Sequence, residues 1–113
     1  MPLFKIETNK EPQYQNTSVL KSASELISEM LGKPEQYVMV SIETQKEMTF
    51  GGSADPTAFV TLKSIGLPVN KCSQFSGRIC QFIKEQFNIP PDRVFIDFVD
   101  IQGNMFGWNG KTF

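Results

Sequence analysis

The sequence contains no histidine. That absence excludes Ser-His-Asp and Cys-His catalysis and every histidine-bound metal site. Cysteine is scarce, with Cys72 and Cys80 alone. Two thiols at this separation make no CxxC redox or zinc motif. They fall in a helical pattern and read as core or surface thiols, in keeping with a reducing compartment. Basic excess is also lacking: 11 Lys and Arg face 12 Asp and Glu, for a net charge of −1. Without surplus cations to neutralise phosphates, nucleic acid is not an expected partner. No run approaches about 18 apolar residues, so no membrane span is expected. The N-terminus has neither a basic segment nor a long apolar one, so no signal peptide is expected. The expected location is cytoplasmic, and any secretion would proceed without a signal peptide.

What is present is ordinary globular composition: 113 residues, 40% hydrophobic and 20% charged. This reads as a single domain over residues 1–113. A chain of this size builds a modest core, and association with copies of itself is one way to bury more surface.

Leu3 to Thr8 reads as a short strand, and polar residues 9–17 with Pro12 as a loop. Val19, Leu20, Ala23, Leu26, Ile27, Met30 and Leu31 recur at helical spacing, and Gly32 and Pro34 stop the helix. Val38 to Thr44 alternates as a strand. Residues 45–57 form a turn-rich connection, in which Gly51-Gly52-Ser53 reads as a tight turn rather than a phosphate-binding nest. Ala58 to Ile65 is a third strand. Phe75, Ile79, Phe82, Ile83 and Phe87 mark a second helix, stopped at Asn88 and Pro90-Pro91. Val94 to Asp100 is a fourth strand, and the glycine- and asparagine-rich tail from Gly103 to Phe113 suits a short hairpin.

The two halves match at an offset of 56 residues, which sets Gly32 to Val38 on Asn88 to Val94 and Leu3 on Phe59. This is a tandem βαβ repeat. Parallel pairing within each unit and right-handed crossovers give an α/β (α+β) fold. It has one four-stranded mixed sheet with both helices on one face. The other face, on which Phe4, Met39, Phe59 and Phe95 are expected, then lacks a cover, and oligomerisation supplies one.

With histidine absent, acid–base chemistry falls to carboxylates, lysines, tyrosines and the terminal amine. A small residue such as Pro2 permits removal of the initiator Met1, which would expose a secondary amine. An α-amine titrates near about 7.7–8.0, and burial or a neighbouring cation lowers that. By position alone, Pro2 is either such a base or merely a common second residue. Lys33 is either a cation favourable at a helix C-terminus or a carboxylate anchor. Phe106, Trp108 and Phe113 either floor an aromatic pocket or pack as core. Tyr37 is either a ligand contact or a strand-edge aromatic. Asp55, Asp92, Asp97 and Asp100 are scattered, and no metal or organic cofactor is implied.

Taken together the chain resembles the macrophage migration inhibitory factor family of the tautomerase superfamily. The resemblance is carried by Met1-Pro2, Gly32 to Val38, Met48 to Ser53, Ser64-Ile65-Gly66, Pro91 to Ile96 and Gly107 to Phe113, in order. It implies a homotrimer whose sheets wrap a central channel. It also implies keto–enol tautomerase activity of the phenylpyruvate and dopachrome type. Pro2 would be the catalytic base, and Lys33 and the backbone of Ile65 would hold an aryl keto-acid substrate. Met39, Phe106 and Trp108 match pocket-wall positions, and Phe95 and Asp97 would come from the adjacent subunit. The alternative it implies is a secreted, cytokine-like ligand for a cell-surface receptor. The chain departs from the family pattern in three places. Phe95 stands for a tyrosine, Asp97 for an asparagine, and Thr57 and Val60 for a CxxC pair of some members, so thiol–disulfide activity through that motif is not expected.

Overall fold

In the computed structural model, which describes Met1–Phe113, the chain runs β1 (Leu3–Thr8), α1 (Asn16–Leu31), β2 (Met39–Glu43), β3 (Ala58–Ile65), α2 (Cys72–Phe87) and β4 (Val94–Ile101). A tail hairpin of β5 (Gly107–Trp108) and β6 (Lys111–Thr112) follows. Four single-turn 3-10 segments, at Glu35–Tyr37, Val69–Lys71, Pro91–Arg93 and Gly103–Met105, punctuate the connections.

The repeat is visible in the elements themselves. Both long helices and the turns Glu35–Tyr37 and Pro91–Arg93 are displaced by the same 56 residues. Each helix ends on a left-handed residue, Gly32 at φ 63° and Asn88 at φ 58°. These are the residue types that tolerate that conformation best. The sheet order is β2-β1-β3-β4. β1 pairs with β2 and β3 with β4 in parallel, while β1 and β3, one from each half, run antiparallel.

Alternation decides which face each strand buries. Phe4 and Ile6 of β1 and Ala58, Val60 and Leu62 of β3 meet Val19, Ala23 and Ile27 of α1 and Phe75, Ile79, Phe82, Ile83 and Phe87 of α2. Phe4 therefore does not lie on the open face. It is fully buried beneath the helices, edge-on to Phe82 at 6.3 Å. The reason is its register partners: Phe4 shares its face with Ile6, while Lys5 and Glu7 point the other way.

Met39, Phe59 and Phe95 do lie on the open face, yet it is not an apolar sheet. The pairing places Ser41, Lys5, Thr61 and Asp97 in one row across it, and Glu43, Glu7, Phe59 and Phe95 in the next. Lys5 and Lys46 each bridge both Glu7 and Glu43, at 2.7 to 3.8 Å. The hydrogen bond from Lys46 is the main cause holding the Glu43 carboxyl below its ordinary range. A face of this kind stays wet at its centre and leaves apolar contact to its margins.

Candidate functional site

The N-terminus of β1 is pinned from both sides. The Pro2 carbonyl accepts a hydrogen bond from the Met39 N–H at 3.0 Å, and Pro2 is buried. Continuing the antiparallel register from Leu3 opposite Lys63 brings the end of β3, at Ile65, beside Met1.

Lys33 is fixed by the turn that ends α1. Its N–H donates to the Ser28 carbonyl at 3.2 Å, and the Ser28 hydroxyl donates to the Lys33 carbonyl at 2.6 Å. The side chain does not return to the helix carbonyls. It crosses to the sheet and donates to the Ile65 carbonyl at 3.4 Å. An ammonium carries three donors, and this contact uses one. Its charge is felt at the chain terminus: burial first, and Lys33 second, lower the Met1 amine below its ordinary value.

Beside this terminus lies a concavity of about 250 Å³ whose lining includes Met1, Pro2, Tyr37, Met39, Phe106 and Trp108. The walls are aromatic contacts. Tyr37 meets Trp108 edge-on at 5.4 Å, and Phe113 stacks on Trp108 at 5.8 Å and on Phe106 at 6.3 Å. Phe113 thus backs the wall without lining it. The tail holds this shape through a two-residue turn at Asn109 and Gly110, both at positive φ, and through the Phe113 N–H, which donates to Gly103 and Phe106.

An apolar slot with an amine at one end and an ammonium at its flank suits a flat aryl group carrying a carboxylate. Lys33 and Ile65 flank the slot rather than line it. The expected residues Pro2, Tyr37, Met39, Phe106 and Trp108 come together. Phe95 and Asp97 do not. They sit on β4, two strands from β1, and strand spacing puts them about 14–19 Å from Pro2. Within one chain neither reaches the amine.

Where they do sit is informative. A second concavity, of about 470 Å³, is lined by Phe50, Gly51, Thr57, Ala58, Phe59 and Phe95, with Met48 and Thr49. It is the repeat's copy of the first. Thr57, Ala58, Phe59 and Phe95 stand 56 residues after Met1, Pro2, Leu3 and Met39, and Phe50 and Gly51 stand the same distance before Phe106 and Gly107. The copy has the shape without the chemistry. Ala58 has an amide nitrogen where Pro2 can have an amine, and buried Ile89 replaces Lys33. The sequence carried this pocket only in the offset itself, which was legible for helices and strands but says nothing of which side chains meet.

Comparison with known proteins places the chain. A family model, "Macrophage migration inhibitory factor (MIF)", matches residues 1–113. The macrophage migration inhibitory factor homolog of Trichinella spiralis is 38% identical over 114 residues, covering 100% of both chains. The macrophage migration inhibitory factor of Xenopus tropicalis is 37% identical over 116 residues, covering 100% of this chain and 99% of its own. The crystal structure of the homologue from Prochlorococcus marinus superposes with a TM-score of 0.93 at 38% identity, over 98% of each chain. No helix here is long and apolar enough to cross a membrane. By sequence over its whole length and by fold, the chain belongs to the macrophage migration inhibitory factor family.

Proposed function

We propose that this protein is a keto–enol tautomerase of aryl keto acids that uses the amine of Pro2 as its acid–base group. The observation that carries the reading is the joint placement of Pro2, Lys33 and the aromatic slot. Burial and a neighbouring cation both disfavour the ammonium form of an amine there and so favour the neutral form that a base needs. Neutral Pro2 removes a proton from the carbon next to the ketone, and the carbonyl oxygen takes up the developing charge. Lys33 holds the carboxylate with the donors that its contact to the Ile65 carbonyl leaves free. The aryl ring lies among Phe106, Trp108 and Met39, and conjugation with it favours the enol. The protonated amine then returns a proton to the other site, so the step is balanced within one substrate.

Phe95 and Asp97 enter this site only from another copy of the chain, so the reading requires an oligomer, and a trimer is the form the family resemblance implies. The fold is compatible with oligomerisation. The test is the ultraviolet assay of phenylpyruvate enol–keto exchange on the native chain and on Pro2→Gly. Equal rates in the two would remove Pro2 from its role.

Asp97 bears directly on the anionic substrate. A carboxylate facing the pocket repels the substrate's own and favours the ammonium form of Pro2. Asp97→Asn is therefore expected to raise kcat/KM by about two- to fivefold, the scale of one solvent-screened charge pair. The gain should shrink at high salt. An unchanged kcat/KM at low salt would show that Asp97 does not face the substrate.

A further inference from the structure

Phe95 is 63% exposed, and its one aromatic neighbour is Phe50, at 4.6 Å between ring centroids. Phe50 opens a tight turn. It exchanges two backbone hydrogen bonds with Ser53, and Gly51 and Gly52 between them sit at φ 60° and 75°. That turn belongs to no sheet. Asn9 holds the segment just after it, at Ala54 and Asp55, by 3.1 and 3.3 Å hydrogen bonds, but the turn's own Phe50 and Ser53 carbonyls are held from outside by a guanidinium. Arg93 Nη1 donates to the Phe50 carbonyl at 2.8 Å, Nη2 to Ser53 at 3.1 Å and Asp55 at 3.0 Å, and Nε to Pro56 at 3.1 Å. Its charge also lies 5.3 Å from the centre of the Phe50 ring. The Thr57 hydroxyl closes the arrangement by donating to the Arg93 carbonyl at 2.6 Å.

Arg93 is also the residue that leads into β4, the strand carrying Phe95. One residue thus joins the start of the strand that carries Phe95 to the turn against which Phe95 rests. We infer that Arg93 is a positioning residue for Phe95, acting through Phe50, and that it sets the aryl affinity of the neighbouring subunit's site. The inference rests on the reading that Phe95 walls that site. Lysine cannot replace arginine here, because a point ammonium cannot reach four carbonyls in a fork.

The experiment is a titration with cinnamate, an aryl carboxylate, followed by fluorescence of Trp108, the one tryptophan of the chain. Phe95→Ala is expected to weaken binding about tenfold and Arg93→Lys about threefold to tenfold, with no further loss when the two are combined, since they act as one unit. Phe50→Leu keeps the carbonyl contacts and removes the ring, and it should repeat the Arg93→Lys result if the lysine variant folds poorly. The aromatic proton shifts of Phe95, displaced by the Phe50 ring in the free protein, should move toward random-coil values in both variants. Losses that multiply in the double variant, or no loss in Arg93→Lys and Phe50→Leu while Phe95→Ala weakens binding, would overturn the positioning role and leave the site reading intact. Unchanged binding in Phe95→Ala would instead overturn the placement of Phe95, and the inference with it.

Discussion

A preparation that keeps Met1 is expected to turn over phenylpyruvate about 10²–10⁴-fold more slowly than one that has lost it, the span a positioned acid–base group contributes. With Met1 attached, the Pro2 nitrogen is a tertiary amide whose lone pair is delocalised into the carbonyl. The amine then belongs to Met1, one residue further out, and Met1 becomes part of the slot's wall. Intact mass identifies the two forms, and trimming the retained form with an aminopeptidase should restore the rate. Equal turnover by both forms would show that the Pro2 amine is not the base. The pH dependence follows in sign. Burial and Lys33 lower the Met1 amine, and both act in the same sense on Pro2 once it is terminal. The ammonium form is inactive, so kcat/KM rises as pH climbs through the amine's pKa. That rise should lie below the roughly 7.7–8.0 of a free α-amine. Lys33→Ala should move it to higher pH, besides weakening substrate binding.

The repeat was legible because helix and strand periodicities are local and because Gly32 and Asn88 are both residues that end helices left-handed. Strand β1 shows where periodicity alone stops. Alternation says that Phe4 and Ile6 share a face, but assigning that face needs the partners, Val40 and Leu62, that the register supplies. The charges Lys5 and Glu7 were the signal that would have placed Phe4 correctly, since paired carboxylates and ammoniums stay near water. The slot beside Pro2 was within reach through the resemblance, because most of its residues fall in the matched segments and Met39 and Phe106 directly adjoin them. The clamp around Arg93 was not. A guanidinium bonded to four backbone carbonyls leaves no side-chain pattern, since carbonyls are common to every residue.

Phe4→Ala is expected to cost about 3–5 kcal/mol of stability, the range for removing a phenyl ring from a core that cannot close over the gap. Phe4 is fully buried, and β1 is an interior strand held on both sides. Its ring fills the space between the sheet and α2, where Phe82 meets it edge-on. Neither β1 nor α2 can move inward without breaking ladder bonds or unseating its neighbours. For a chain whose total stability is about 5–15 kcal/mol, such a loss leaves little margin. Leu3→Ala is the control. It alters the next residue along, on the opposite and partly exposed face, and should cost less than half as much. Denaturant titration at one fixed protein concentration makes the comparison, because self-association adds a concentration-dependent contribution. A loss for Phe4→Ala no greater than that for Leu3→Ala would return Phe4 to the open face. The site should register the same change. Phe4 lies two positions from Pro2, so a loosened β1 releases the amine from Lys33 and the slot, and the activity of Phe4→Ala should fall even under conditions where the variant remains folded.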